Sequence, residues 1–514
     1  MRSDRRQVRE AERRQKAEAM GNRFYRTLSI LYTLILVAFV GALRWLDVLP
    51  AKYFYILVGV LLLISVFIVP VMFSRHGIKR RKRISALFAV LLIAGFGLGT
   101  AYLADTADFL NDISAGGGIR ELKEDYYLIV KNDSVYTDVT QMTGANVGTC
   151  IVNDANYAQA KDELNRELSV GYKYLADLNL LFDGLAAGSV ETINETTGAV
   201  ELQEYTAVFI SSASYESMKE QRETLAEETR VLHTVSIKLG EVETVKAVDV
   251  TKEAFNVYVS GLDVQGDIGI QSRSDVNMIV TVNPATHEVL ITSIPRDYYV
   301  ALPTKNGAAD KLTHSGLYGI QETMGAVEEM MGIEMNYYVK VNYSTIVKLV
   351  DAMGGIEIDS PYAFTTHGMA DLGLNGITFS QGYNRLDGRM ALAYCRERKS
   401  WLDGDMRRNE NQQLIIEAII KKMTGSTAIL TNYMDILEAI RGNMETNMSA
   451  ADMTSLVKMQ LESMPSWNIE KTALKGKNDF QNCYALGFAA AVVNQDHEQI
   501  ARTADKITTI MNNQ

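Results

Sequence analysis

Phe255-Asn256-Val257-Tyr258-Val259-Ser260-Gly261-Leu262-Asp263 is the stretch on which the fold turns. β-Branched and aromatic residues dominate it, so it predicts a strand running into a glycine and an acid. Residues 276–282 and 289–294 predict two more strands, separated by the turn Asn283-Pro284-Ala285-Thr286. Further on, residues 316–331 predict an apolar helix and 337–341 a strand. Residues 343–353 predict a helix stopped by Gly354-Gly355, 391–396 a strand, and 407–423 a long helix. Strands alternating with helices at this rhythm predict a layered α/β/α domain with a central mixed sheet over residues 252–514. Segments 433–441, 453–461 and 484–494 are expected to be helices packing back on it.

Before this domain the texture differs. Gly116-Gly117-Gly118 reads as a flexible joint. Residues 119–246 predict a small α/β accessory domain: strands at 126–130, 134–139 and 206–211, a helix over 157–181 (Leu164, Leu168, Tyr172, Leu175), and a charged helix over 218–228. It holds one histidine, His233, and no glycine-rich phosphate loop. Nothing in it looks catalytic.

Earlier still come three apolar runs, 24–46, 52–73 and 84–104, each about the length a helix needs to cross ~30 Å of hydrocarbon. The first is no signal peptide, because no small-residue cleavage site follows it and two more spans do. A buried hydrophobic hairpin is the plainer alternative. Arg2, Arg5, Arg6, Arg9, Arg13, Arg14 and Lys16 crowd the basic arm, residues 1–23, and Arg75-His76-Gly77-Ile78-Lys79-Arg80-Arg81-Lys82-Arg83 fills the second loop. The first loop offers only Arg44 and Lys52. By the positive-inside rule the N-terminus is cytoplasmic and everything past about residue 104 extracytoplasmic, a multi-pass cell-membrane protein. The arm suits anionic lipid head groups, or is a plain solvated helix.

At 514 residues the chain exceeds one ordinary domain. Its net charge of −11 hides an asymmetry: residues 1–83 carry 17 Lys+Arg against 5 Asp+Glu, or +12, leaving −23 on the rest. Folded domains so acidic argue against nucleic acid as a partner. Cys150, Cys395 and Cys483, odd in number and far apart, form neither a disulfide framework nor a metal cluster and read as buried or incidental thiols.

Polar residues collect at predicted strand ends. Asp263 ends the first strand, Arg273-Ser274-Asp275 opens the second, and Arg296-Asp297 closes the third. Lys311 and His314 precede the next helix. Arg396 and Arg398, two apart, share a face of an extended segment, and Arg408 and Gln412, four apart, share a helix face. So many guanidinium groups in a partly dry cleft would repel one another unless an anion sat among them, and their planar forks suit phosphate. Asp263 and Asp275 could together hold a hard cation such as Mg²⁺, which is usually bound by one or two carboxylates plus substrate phosphates. The composite is a diphosphate site. The blander alternative stays open: a strand-end arginine is a common surface ion pair, Pro-Arg-Asp a common turn, and Arg-Glu-Arg-Lys a solvated charge run.

Six stretches, in order, resemble the LytR-CpsA-Psr family. They are Arg273-Ser274-Asp275-Val276-Asn277, Ser293-Ile294-Pro295-Arg296-Asp297, Asp310-Lys311-Leu312-Thr313-His314-Ser315-Gly316, Val350-Asp351-Ala352-Met353-Gly354-Gly355, Ala391-Leu392-Ala393-Tyr394-Cys395-Arg396-Glu397-Arg398, and Gly404-Asp405 through Gln412-Gln413. The resemblance covers roughly residues 254–425, and the spans and accessory module resemble the capsule-associated branch of Gram-positive bacteria. The resemblance implies a Mg²⁺-assisted phosphotransferase. It would move a capsular polysaccharide or teichoic-acid-type glycopolymer from a polyprenyl (undecaprenyl) diphosphate to peptidoglycan, with membrane lipid and capsule-synthesis membrane proteins as further partners. It implies Asp263 and Asp275 as metal-associated carboxylates and Arg273, Arg296, Arg396, Arg398 and Arg408 as a diphosphate clamp, with Lys311 and Gln412 adding contacts. An apolar tunnel for the lipid tail under the sheet is implied too. One departure is that Asn411 stands where the family usually has a basic residue, which favours Arg408, one turn before Gln412, as the last arginine of the clamp.

The implied reaction is attack by the muramic acid 6-hydroxyl on the polymer-side phosphorus, with Asp297, Asp405 or Asp275 as alternative bases and Arg296, Asp275 and Asp297 as the catalytic set. Rival expectations are a membrane regulator sensing lipid-linked intermediates, a lipid diphosphate hydrolase using the same site, and a wall scaffold, which leaves the arginines unexplained.

Overall fold

The computed structural model describes residues 2–47, 49–74, 78–113, 119–150, 154–193, 199–243, 246–262, 268–269, 271–401, 404–425 and 432–513. The glycine joint at 116–118 lies outside them, as do Asp263 and the side chain of Asp405. The chain divides into two units, Met1–Asp112 with Ser449–Pro465, and Ile113–Met448 with Ser466–Gln514.

The first unit holds α1 (Arg2–Leu46), α2 (Ala51–Phe73) and α3 (Lys79–Ile113). The basic arm and the first span are one continuous helix. Segments Ala19–Leu46, Ala51–Phe73 and Lys79–Asp108 are long and apolar enough to cross a membrane. An inner seam of Tyr32, Leu36, Leu61, Ile68, Ala89 and Phe96 packs the three together, and Tyr32 and Ser65 share a hydrogen bond of 2.8 Å across it. Leu34, Leu63, Val66, Phe67, Leu91 and Leu98 point outward and are exposed, an arrangement that suits lipid rather than water. The helix Ala450–Ser463 belongs to this unit: Lys458 Nζ lies 2.6 Å from Asp47 Oδ2 in the first loop, and the Lys52 ammonium donates to the Glu462 carbonyl.

Two large sheets build the second unit, with smaller two-stranded ones beside them. The accessory sheet has the order β3-β2-β4-β1-β5, from β1 (Ile119–Lys131), β2 (Asn146–Cys150), β3 (Gly171–Leu175), β4 (Ala207–Ser211) and β5 (Thr229–Glu243). α4 (Ala155–Leu168) covers one face through Tyr157, Ala160, Leu164 and Leu168. α5 (Leu178–Ala187) and α6 (Ser212–Gln221) cover the other through Leu181, Phe182, Tyr215 and Met218. The same core takes in Cys483, Leu486, Ala490 and Val492 from a C-terminal hairpin, Gly476–Cys483 and Phe488–Gln495. The accessory core is therefore closed by residues from the far end of the chain.

Three expectations are corrected here. Residues 134–139 form no strand, because the Asp138 carboxylate accepts from Thr140 N and caps a 3₁₀ turn, Val139–Met142. The helix expected over 157–181 is three elements: α4 ends at left-handed Ser169 (φ 51°), β3 follows, and Asp177 caps α5. Residues 484–494 are not a helix but the turn and second strand of the hairpin.

The larger sheet is mixed, as expected, with the order β10-β9-β6-β7-β8-β11. Its strands are β6 (Phe255–Leu262), β7 (Ser274–Asn283), β8 (Glu288–Ile294), β9 (Tyr337–Asn342), β10 (Met444–Thr446) and β11 (Asn468–Ala473). β6–β9 and β8–β11 pair in parallel, the others antiparallel. The helices are α7 (Leu312–Ser315), α8 (Ile320–Met331), α9 (Tyr343–Ala352), α10 (Gly388–Arg396), α11 (Gly404–Gly425), α12 (Tyr433–Ile440) and α13 (His497–Asn512). Register sorts the faces: Tyr258 sits opposite Ile279, and both pack with Val327, Ile500 and Ile507 of α8 and α13. Val259 sits opposite Met278, and Gly261 opposite both Val276 and Val341, turned toward the layer of α9–α12. The expected helix over 316–331 starts at residue 320, after Gly319 at φ 109°, a backbone angle a side chain would strain. Residues 391–396 are not a strand but the end of α10, which begins where Asp387 caps it by accepting from Met390 N.

Candidate active site

A cavity of about 300 Å³ lies between the larger sheet and the helices packed on it. Its interior is apolar: Val259, Met278 and Val341 from the sheet, Leu392, Ile415 and Ile416 from α10 and α11. Its polar lining brings together Arg273, Asp275, Arg296, Arg396, Arg398, Arg408 and Gln412, residues spread over nearly 140 positions of sequence, with Glu220 from the accessory module. Lys311 and Asp297 do not line it. They meet it through Arg296, since Lys311 Nζ is 3.8 Å from Asp297 Oδ1 and Asp297 Oδ2 is 3.5 Å from Arg296 Nε.

Local chemistry sets each group. Arg396 is the last residue of α10, where a cation suits the helix dipole, and its guanidinium stacks 4.0 Å over the Tyr343 ring. Glu397, fully buried, accepts from His367 N (2.7 Å) and Ser400 N (2.9 Å) and so pins the backbone between Arg396 and Arg398. A Cβ on Gly404 would overlap the Arg398 carbonyl oxygen, so α11 can start there only with glycine. On α11, Arg408 and Gln412 line the cavity, whereas Arg407 turns to Tyr362 and to Glu410 (2.9 Å). Asn411 points inward and donates to the Tyr394 carbonyl (3.1 Å).

Arg296 is the hub. Its Nη1 donates to Asp275 Oδ1 at 2.9 Å and its Nη2 to Glu220 Oε1 at 2.9 Å. Thr313 Oγ1 adds a second donor to Asp275 Oδ1 at 2.8 Å. Glu220 Oε2 is also 4.0 Å from Arg273 Nη1 and 3.6 Å from His314 Nε2, ion pairs too long for hydrogen bonds. His314, wholly buried, is fixed from behind by Asp310, whose Oδ1 is 2.7 Å from its Nδ1 and whose Oδ2 accepts from Ala485 N. Burial pushes the Glu220 carboxyl upward, but His314, Arg296, Arg273 and Lys311 outweigh it and hold the group below the usual range. Asp275 is lowered in the same way: burial opposes, and Arg296, Arg273, Thr313 and Arg408 prevail. Burial would lower His314, yet Asp310 and Glu220 raise it and favour the imidazolium.

This arrangement revises one expectation. Around Arg296 the repulsion among cations is relieved by the chain's own acids, Glu220, Asp275 and Asp297, rather than only by a bound anion. Glu220 was missed because a charged helix at 218–228 reads as solvated, and no local signal links it to arginines on another sheet. Four buried atoms at this spot, Glu220 Oε2, Arg296 Nε, Asp297 Oδ1 and His314 Nε2, make no hydrogen bond within the described residues. Native proteins seldom leave such atoms idle, and here they cluster where a polar ligand would sit.

For a divalent cation, Asp275 would offer a hard carboxylate oxygen of the kind Mg²⁺ takes, beside guanidinium groups suited to phosphate. Among the described residues no group of three or more His, Cys, Asp or Glu gathers as a metal cage.

A family model described as the LytR_cpsA_psr family matches residues 208–504, more than half the chain and a stretch that takes in α6. Among curated relatives, the Enterococcus faecalis protein named polyisoprenyl-teichoic acid–peptidoglycan teichoic acid transferase TagU is 36% identical over 207 residues, 40% of this chain and 65% of that protein. The Bacillus subtilis (strain 168) protein of the same name is 34% identical over 203 residues, 39% of this chain and 62% of its own length. The chain thus spans a little under two thirds of these relatives. Among solved structures, B. subtilis TagV is 25% identical with a TM-score of 0.43, covering 51% of this chain and 99% of that one. B. subtilis TagU is 28% identical with a TM-score of 0.39, covering 51% and 99%.

Proposed function

Because this chain belongs to the LytR-CpsA-Psr family, we propose that it transfers a phosphate-linked glycopolymer, of capsular or teichoic acid type, from a polyprenyl diphosphate carrier to peptidoglycan. The observation that carries this is the cavity itself, whose lining combines five arginines with aliphatic side chains. A ligand matching both has a diphosphate head and a hydrocarbon tail. The names of the TagU relatives, which link a polyisoprenyl carrier, teichoic acid and peptidoglycan, support the same reaction class.

In the reaction, a sugar hydroxyl oxygen of peptidoglycan attacks the polymer-side phosphorus. The new P–O bond forms as the bond to the bridging oxygen breaks, and the lipid monophosphate leaves with that electron pair. Arg273, Arg296, Arg396, Arg398 and Arg408 neutralise charge on the phosphate oxygens. Asp275 keeps Arg296 oriented. The hydroxyl proton passes to a carboxylate: Asp275 lines the cavity, its Oδ1 held by Arg296 and Thr313, whereas Asp297 stands behind Arg296. Asp275, with Asp263, would hold Mg²⁺, which when bound supplies further charge neutralisation to the phosphates.

Membrane orientation belongs to the same proposal: N-terminus in the cytoplasm, second unit outside. The basic residues of the arm and of the second loop support it, since such residues favour the cytoplasmic side.

The test is the full chain in lipid nanodiscs with a polyprenyl diphosphate-linked glycopolymer and peptidoglycan. Polymer joined to the wall by a phosphodiester, with one lipid monophosphate released per bond, is expected. Free polymer phosphate would instead identify a hydrolase, and no consumption of the lipid would end the proposal.

A further inference from the structure

Glu220 belongs to the accessory module yet stands among the arginines of the other sheet. Strand β4 runs into α6 at Ser211, which caps the helix by accepting from Ser214 N, and Glu220 falls in the last turn, facing the cavity. It engages Arg296 at 2.9 Å and Arg273 at 4.0 Å, two of the cations that a phosphate entering this cavity would need. A carboxylate is the nearest side-chain likeness of a phosphate: anionic, with a pair of oxygens suited to the same guanidinium fork.

We infer that Glu220 is a resident counter-anion which the phosphate of an incoming polyprenyl diphosphate must displace from Arg273 and Arg296, so that the accessory module sets substrate affinity and hastens product release. The identity of that ligand rests on the reaction proposed above.

Two observations separate this from a plain strut between modules. The strut already exists elsewhere, in the buried Lys305–Glu124 pair (2.6 Å), the Tyr484–Asp154 hydrogen bond (2.7 Å) and the shared core of the C-terminal hairpin. Glu220 can leave its arginines without detaching the module. Moreover, Glu220 Oε2 and His314 Nε2 face each other buried at 3.6 Å without a hydrogen bond, a poor fit for a permanent contact. A diphosphate brings more oxygens and more charge than one carboxylate and gains by the exchange. A departing monophosphate is weaker, and Glu220 can retake its place.

The experiment uses the full chain in nanodiscs and inorganic pyrophosphate as the probe, followed by calorimetry. A site competent only a tenth of the time binds about tenfold more weakly than an open one, so E220Q is expected to bind pyrophosphate about tenfold more tightly than wild type. E216Q removes a charge one turn earlier on the same helix, where Glu216 pairs with Lys219, and is expected to leave binding unchanged. Equal or weaker binding by E220Q, equal tightening by E216Q, or no binding by any of the three proteins overturns the inference. Hydrogen exchange on wild type needs no variant: amide protection in residues 212–221 is expected to fall on adding pyrophosphate, and unchanged or greater protection also overturns it. Pyrophosphate that displaces α6 in a chain unable to transfer polymer would sink the reaction and leave the counter-anion standing. Transfer with α6 unmoved would do the reverse.

Discussion

Arg296→Ala removes one guanidinium and strands three acids. Glu220, Asp275 and Asp297 have side chains 18%, 10% and 23% exposed, and each faces a nitrogen of Arg296. Breaking a buried pair by deleting one partner costs about 3–5 kcal/mol, because the remaining charge stays buried. At about 2.1 cal/mol/K of unfolding entropy per residue, a unit of about 400 residues shifts by roughly 1 °C per kcal/mol, so the second unit should melt about five degrees lower. The double variant R296A/E220Q relieves one stranded charge and should recover part of the loss. Transfer should respond differently, falling about 10²–10³-fold as for one lost transition-state donor and staying low in the double variant. The pH dependence has a definite sign. Glu220 is held below the usual carboxylate range, so its stabilisation is complete above that range and fades as pH falls through its lowered folded value. R296A should therefore lose more relative to wild type near neutrality than near pH ~4. Circular dichroism melts of the full chain in detergent, beside the transfer assay, read both effects. A variant that melts with the wild type, or transfers at its rate, refutes the assignment of Arg296 as the hub.

Three further outcomes are expected. Gly404→Ala should abolish most transfer while leaving the helix content intact, because its Cβ would push the Arg398 carbonyl out of line; normal transfer would show that the Arg398 loop tolerates movement. Lys305→Met should destabilise the second unit by about 3–5 kcal/mol by leaving Glu124 buried and unpaired, and E124Q with it should restore much of that; a silent single variant would show that Lys305–Glu124 carries no weight. Burial pushes the thiols of Cys150, Cys395 and Cys483 up to about 12, so an aromatic disulfide reagent at about pH 8 should label none of them until the chain is denatured.

What was legible in the sequence is what local pattern controls. Residues 255–262, buried throughout, could only be a central strand, and the apolar runs before residue 104 were unmistakable. Strand ends were also visible, which is why Arg273, Asp275 and Arg296 could be named before their shared cavity was known; Arg398 and Arg408 came from the spacing of polar residues and the family's motifs. Short apolar runs misled. Residues 391–396 pass for a strand by composition, and only Asp387, four residues earlier, marked a helix start. Residues 484–494 carry enough alanine to suggest a helix, yet their pairing partner, 476–483, is read only once the hairpin is folded. Glu220 was invisible for a deeper reason. It lies 53 residues from Arg273 and 76 from Arg296, and nothing in the intervening text specifies that α6 should meet the second sheet.

The hairpin that closes the accessory core has a consequence for how the protein is made. Leu181, Phe182 and Tyr215 are synthesised early, but the surface they need, Leu486, Ala490 and Val492, comes off the ribosome near the end. The earliest soluble module to emerge must therefore wait, half finished and sticky, until the whole catalytic layer has followed it. The accessory core is complete only with this hairpin, so a chain ending before residue 476 should leave Leu181, Phe182 and Tyr215 exposed.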